Sequence, residues 1–295
     1  MKREAPSSPR ILELKKRRKK VLRNRIILLV ILFILLLVGL IFLSRWEEVS
    51  INQVQISGNK IIDTALIDKI VEEELDGYYV WVIPKRNFLI LPETKIKNKL
   101  LTELKRLESV ELSISDRKVL EVSVLERKAL YTWCGPDLKF YNAVVTFDEE
   151  SEKNCYFMNE MGYVFDRAPY FSGDVYFKFF GSLGNEGESP LGQRYYPETF
   201  SALVKLVEDV KSLDLKPSSL FVKEDGDIDL YLKSNTFSAD ANKIVFNVNS
   251  DTTKIVENLH ASITTEPLKS ELKKKYEDLL YIDLRFGNKV YYKFR

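Results

Sequence analysis

The chain has 295 residues and a formal net charge of +2, a length that fits one to three domains. The near-neutral balance hides a division, because residues 1–45 carry 12 basic and 2 acidic side chains whereas residues 46–295 carry 33 and 41. An acidic body argues against nucleic acid as the partner, since its binders need a basic face to neutralise phosphates.

The boundary is the run RIILLVILFILLLVGLIFLSRW, in which Ile26 to Leu43 has no polar side chain. At 1.5 Å per residue such a helix reaches roughly 27 Å, close to the hydrocarbon thickness of a bilayer. Ser44-Arg45-Trp46-Glu47 follows, without the small-residue pattern of a cleavage site, so the segment reads as an uncleaved transmembrane anchor over residues 26–45. Nine Lys/Arg between Arg10 and Arg25 precede it, and Arg45 alone follows closely. The positive-inside rule therefore predicts a cytoplasmic tail at 1–25 and about 250 residues outside. Trp46 fits an interfacial anchor. Cys134 and Cys155 then lie in a compartment that permits a disulfide, with pairing and two free thiols equally open.

Beyond the anchor, VSINQVQISGNK predicts a strand with a turn at Gly58-Asn59. DTALIDKIVEEELDG places Leu66, Ile67, Ile70, Val71 and Leu75 at helical spacing, capped by Asp63 or Thr64 and ended by Gly77. An aromatic connection, YYVWVIPKRNFLILP, leads to PETKIKNKLLTELKRLE, a second helix with Ile96, Leu100, Leu104 and Leu107 on one stripe. SVELSIS and VLEVSVLER alternate with period two across Asp116–Lys118, a hairpin. The order β-α-α-β-β predicts a three-stranded sheet covered on one face by two helices.

Residues 129–180 are β-rich: ALYTWC, KFYNAVVTFD, CYFMNEMGYVFDRAP with a turn at Asn159–Gly162, and DVYFKFFG. GSLGNEGESPLGQ, residues 181–193, reads as a connection; its glycines lack the strand-to-helix context of a phosphate loop. PETFSALVKLVEDVKSL predicts a helix, LFVKEDGDIDLYL a hairpin turning at Asp225-Gly226, and NKIVFNVN a strand. Helical stretches follow from about Thr252 to Asp278, interrupted near Pro267. The sole histidine, His260, falls in one of them, and no catalytic triad, metal spacing or nucleotide loop accompanies it. The expectation is a binding protein without cofactor or metal, not an enzyme.

The chain ends in LLYIDLRFGNKVYYKFR. Alternation puts Ile282, Leu284 and Phe286 on one face and Tyr281, Asp283 and Arg285 on the other, with Gly287-Asn288 as a turn. In the last strand Val290, Tyr292 and Phe294 face inward; Lys289, Tyr291, Lys293 and Arg295 face outward. A terminal hairpin at a sheet edge exposes unpaired main-chain groups, which lysines guard and which a chosen partner strand can use. A proline at Tyr291 is expected to remove one of those donors and cripple binding.

The opening V-x-I-S-G-N (Val54 to Asn59), the two helices and the closing VSVLERKA strand, set immediately outside a single span, resemble a POTRA domain at residues 46–128. With VQISGNK, MGYVFDRAP and the terminal IDLRFGNKVYY, nearly the whole chain resembles the FtsQ/DivIB family of bacterial cell-division proteins. That resemblance implies an α+β protein of the plasma membrane, enriched at the division septum, whose β-domain at 129–295 ends in a docking strand. It further implies a divisome scaffold in septum assembly that binds the extracytoplasmic segments of small coiled-coil partners, FtsB/DivIC-like and FtsL-like. The positions that would carry binding are Tyr281, Asp283, Arg285, Phe286, Lys289, Val290, Tyr291, Tyr292 and Lys293. The competing expectation is a POTRA-bearing envelope assembly or translocation factor.

Overall fold

The computed structural model describes residues 9–138, 154–171, 175–184, 187–234 and 242–295, with the backbone alone for 9–16. The expected strand KFYNAVVTFD lies outside the described residues. The protein is a mixed α+β chain with one long apolar N-terminal helix and a large mixed sheet. The helix, α1 (Pro9–Ser44), has no buried residue over Arg17–Ser44 and holds an 18-residue stretch with a mean hydropathy of 3.7, which fits a single span or a signal sequence. The chain divides into two compact units: one takes residues up to 103, α1 included, with 109–125, and the other takes 104–108 and 126–295.

In the first unit, β1 (Gln53–Ser57), α2 (Thr64–Leu75), α3 (Glu93–Glu103), β4 (Leu107–Ser115) and β5 (Val119–Glu126) form a three-stranded sheet of order β1-β5-β4 with two helices. The first and last strands are parallel neighbours, Val54 opposite Leu120 and Ile56 opposite Val122. Gly58 explains its place in the opening motif: its φ is +88°, and a Cβ there would lie 2.1 Å from the Val124 carbonyl oxygen. The Asp63 side chain caps α2 by accepting from the Ala65 N–H at 3.0 Å. Ile67, Ile70, Val71 and Leu75 bury its core stripe, but Leu66 is exposed, one position off that face. Leu107 is buried in β4 and not on the α3 stripe, because α3 stops at Glu103 and the chain turns through a Leu107 N–H to Leu104 carbonyl bond. The aromatic connection folds into a small hairpin, β2 (Tyr78–Tyr79) and β3 (Ile83–Pro84), too short for periodicity to show.

The second unit is a nine-stranded sheet. Its members are β6 (Tyr131–Trp133), β7 (Tyr156–Met158), β8 (Val164–Arg167), β9 (Phe177–Phe180), β10 (Pro217–Val222), β11 (Asp227–Leu232), β12 (Lys243–Asn247), β13 (Leu279–Phe286) and β14 (Lys289–Phe294). Their order is β14-β13-β12-β11-β10-β9-β6-β7-β8. Two parallel joints are made by helical crossovers, as parallel strands require: α4 (Phe200–Ser212) links β9 to β10, and α5 (Thr252–Thr264) with α6 (Leu268–Lys275) links β12 to β13. These helices bury Phe200, Leu203, Val210, Leu259 and Leu268 against Phe179, Leu220, Leu230, Ile244, Phe246 and Ile282 in one core. A second cluster, Phe157, Phe165, Ala168, Phe180 and Tyr231, gathers around the cysteines.

Cys134 and Cys155 are joined as a disulfide across a sequence separation of 21, and both are buried. Closing a loop of that length removes denatured-state entropy worth about 3 kcal/mol. Replacing both cysteines by Ala should therefore lower the unfolding free energy by about 3 kcal/mol, read as an earlier urea midpoint; an unchanged midpoint would show that the bond contributes nothing to stability.

Candidate docking site at the sheet edge

The terminal hairpin forms one edge of the sheet, with β8 at the other. β13 lies parallel to β12, with Ile244 opposite Ile282 and Val245 opposite Asp283. β14 returns antiparallel, with Ile282 opposite Tyr292, Asp283 opposite Tyr291 and Phe286 opposite Lys289. Gly287 takes φ +64° in the two-residue turn, a conformation that costs glycine nothing. The Asn258 side-chain amide of α5 donates to the Gly287 carbonyl at 2.9 Å and ties the turn to the helical layer.

The register is not regular. Between Leu279 and Tyr281, and again between Asp283 and Phe286, β13 advances one residue more than β14, so it carries two bulges. The second bulge overturns the expectation that Phe286 faces inward with Ile282 and Leu284. Cross-strand partners share a face, so Phe286, opposite Lys289, points outward; it is 55% exposed and packs edge-on against Tyr291 with ring centroids 5.2 Å apart. Ile282 and Leu284 are buried, and Val290, Tyr292 and Phe294 pack onto the core half-buried, as alternation predicts.

The outward face of the outer strands is a charged lattice in two rows. Tyr231, Lys243, Tyr281 and Lys293 lie opposite one another across four strands, as do Asp229, Val245, Asp283 and Tyr291. Asp283 is only 6% exposed, although alternation turns it away from the core, because Arg285 closes over it. The Arg285 backbone N–H and Nε donate to Asp283 Oδ1 at 3.1 and 2.9 Å, and Nη2 donates to Oδ2 at 2.6 Å. Arg285 Nη1 reaches across to Asp227, whose other oxygen accepts from the Asn247 amide at 3.1 Å. Burial opposes ionisation of Asp227, but the hydrogen bonds from Asn247 and Arg285 outweigh it and hold the carboxyl below its ordinary value. The Asp283 hydrogen bonds, with those of Asp227, keep the Arg285 guanidinium still more firmly protonated. Further in, Lys243 and Lys223 flank Asp229 at 2.9 and 3.0 Å. The acids of the outer face are thus neutralised from within, whereas the exposed Lys289 and Lys293 pair with no acid among the described residues.

The main chain decides what the edge can do. The Arg295 N–H donates to the Asp278 carbonyl at 2.8 Å, so it faces β13. Peptide groups alternate along a strand, which places those of Lys289, Tyr291 and Lys293 toward β13 and those of Val290, Tyr292 and Phe294 toward the open side. The expectation that a proline at Tyr291 removes an edge donor is therefore corrected: it would cut the internal ladder. Among the described residues no strand lies beyond β14.

The expected binding residues lie on the outer face of this hairpin, apart from Tyr292 and Val290, whose side chains pack inward while their peptide groups face the edge. Asp227, Asn247 and Lys243 belong to the same face and were missed, because only strand pairing brings residues so distant in sequence together. His260 is exposed on α5, and among the described residues no three His, Cys, Asp or Glu side chains converge as for a metal. Ser182, Leu183, Gly187 and Glu188 border a cleft of about 930 Å³ with Trp133, Lys223 and Asp225.

Because Asp227 has a lowered native value, its contribution to stability is present above its ordinary value of 3.8 and is lost as pH falls through the native one. Arg285→Gln should cost on the order of 1–2 kcal/mol at neutral pH, less than a fully buried pair because the guanidinium is partly exposed. That deficit should shrink in acid, and urea midpoints at neutral pH and near pH 3 would check it. A scan against protein-family models finds no match for this chain, and no curated protein matches it.

Proposed function

We propose that this protein is a non-enzymatic, membrane-anchored scaffold of the FtsQ/DivIB type. In this reading it serves septum assembly by binding small coiled-coil division partners through its terminal strand. The observation that carries the proposal is β14 itself: one of the two edge strands of the nine-stranded sheet, held in place by β13 and α5, with peptide groups aimed outward and lysines on its exposed face. A partner strand added there would satisfy main-chain groups, and the side chains on the outer face would select it. Lys289 and Lys293 favour an acidic segment, and the Phe286–Tyr291 pair offers an apolar contact beside them.

The first unit supports the same reading. Its β-α-α-β-β order, interrupted by the small hairpin and a short 3-10 turn at Phe88–Ile90, and the glycine that the Val124 carbonyl demands agree with a POTRA-type domain following a single span. With α1 as that span, the basic tail is cytoplasmic and both units lie outside the plasma membrane.

The test is to titrate the full chain in nanodiscs with the extracytoplasmic segments of candidate coiled-coil division proteins. Backbone amide exchange at Val290, Tyr292 and Phe294 should slow on binding. Val290→Pro removes an outward donor while sparing the bonds to β13, so it should weaken binding by about tenfold or more and leave the melting temperature nearly unchanged. Binding that leaves 286–295 unaltered would remove the mechanism, and a large drop in melting temperature would mark the hairpin as core only.

A further inference from the structure

The small hairpin of the first unit is strange for a water-exposed turn. Val82 N–H donates to the Tyr79 carbonyl at 3.1 Å, closing a turn whose two central residues, Val80 and Trp81, have φ of +47° and +66°. Such a turn is free of strain with Asn-Gly, whereas a β-branched valine is among the worst residues for positive φ. Both side chains are also offered outward, Val80 at 85% exposure and Trp81 at 93%. In water this tip combines backbone strain with exposed apolar area and gains no packing from either.

Its position supplies the missing contact. Arg45, the first residue after α1, donates from Nε to the Val82 carbonyl at 3.2 Å, and its guanidinium lies 6.0 Å from the centre of the Tyr78 ring. The Asn87 amide donates to the Ser44 carbonyl at 3.1 Å, two residues before the exposed Leu89. Two separate chain segments therefore ring the end of the apolar helix, and each presents apolar side chains to the surroundings. Trp46, the residue after Arg45, is exposed as well. Tryptophan and tyrosine partition to the headgroup boundary of a bilayer, where an apolar body and a polar edge are both satisfied.

We propose that the β2–β3 tip is a second membrane contact: Val80 and Trp81 insert into the interface of the bilayer that α1 spans, with Trp46, Tyr78 and Leu89 around them. The inference rests on reading α1 as a retained span. It assigns the first unit a fixed attitude on the lipid surface, set by the helix end and the hairpin together. The occupant is a lipid interface and not a protein groove, because the Arg45 and Asn87 hydrogen bonds tie this exposed aromatic and apolar connection directly to the end of the apolar helix.

The experiment uses the full chain reconstituted in phosphatidylcholine vesicles with or without brominated acyl chains. Subtracting the emission of Trp81→Phe from that of the unaltered chain isolates Trp81, and Trp46→Phe isolates Trp46 in the same way. The expected result is that brominated lipid removes most of the Trp81 emission while aqueous acrylamide removes little. Val80→Asn, which relaxes the turn and takes away apolar area, should raise acrylamide quenching of Trp81 without lowering the melting temperature. Trp46 quenched by brominated lipid with Trp81 untouched would overturn this proposal and leave the span standing. If neither tryptophan is quenched and alkaline carbonate releases the chain from the vesicles, the span reading fails and takes this one with it.

Discussion

Everything proposed for the second unit depends on an unmet requirement of the β-sheet: an outer strand has main-chain donors and acceptors on its open side that no neighbour satisfies. Here that strand is β14. Its position follows from the crossover before it. β12 and β13 are parallel, so α5 and α6 must carry the chain back across one face, and β14 can only fold outward from β13. The helices bury the inner side chains of the hairpin, and Asn258 holds its turn, so the edge is fixed from behind by the core. Pre-organisation of this kind lowers the ordering cost of adding a strand.

The bulges in β13 shape what the edge presents. One extra residue turns Phe286 from the core to the outer face, where it meets Tyr291 and makes an aromatic step beside the lysines. The same outer face must keep several acids from cancelling those lysines. It does so by pairing Asp283 and Asp227 with Arg285, and Asp229 with Lys223 and Lys243. A basic rim beside an internally neutral lattice favours encounter with acidic segments, an effect on association rate and partner choice more than on raw affinity.

The first unit obeys a different constraint. Its chain leaves a helix end at Arg45 and folds at once, so whatever surrounds that end is held near it by short covalent connections and by the Arg45 and Asn87 hydrogen bonds. The turn at Val80-Trp81 holds two apolar residues at positive φ with their side chains exposed beside that helix end.

Much of the architecture was legible in the residues. The apolar run, the α2 stripe, the hairpin turns at Asp225-Gly226 and Gly287-Asn288, and the inward set Val290, Tyr292 and Phe294 follow from period and turn chemistry, which act over a few residues. Other features belong to the tertiary structure alone. Phe286 changed face because a bulge is a property of two strands and their register, not of one strand's alternation. Leu66 and Leu107 fell off their stripes because helix ends and facing angles are set by what packs against them. The union of Asp227, Asn247, Arg285 and Asp283 joins residues up to 58 positions apart, and pairing order alone brings them together. By itself the sequence determined most of the longer helices and strands among the described residues and that the chain ends in an amphipathic hairpin. Only the tertiary structure decided that this hairpin is the edge and which of its peptide groups face outward, because strand order is settled by long-range contacts that local periodicity does not encode.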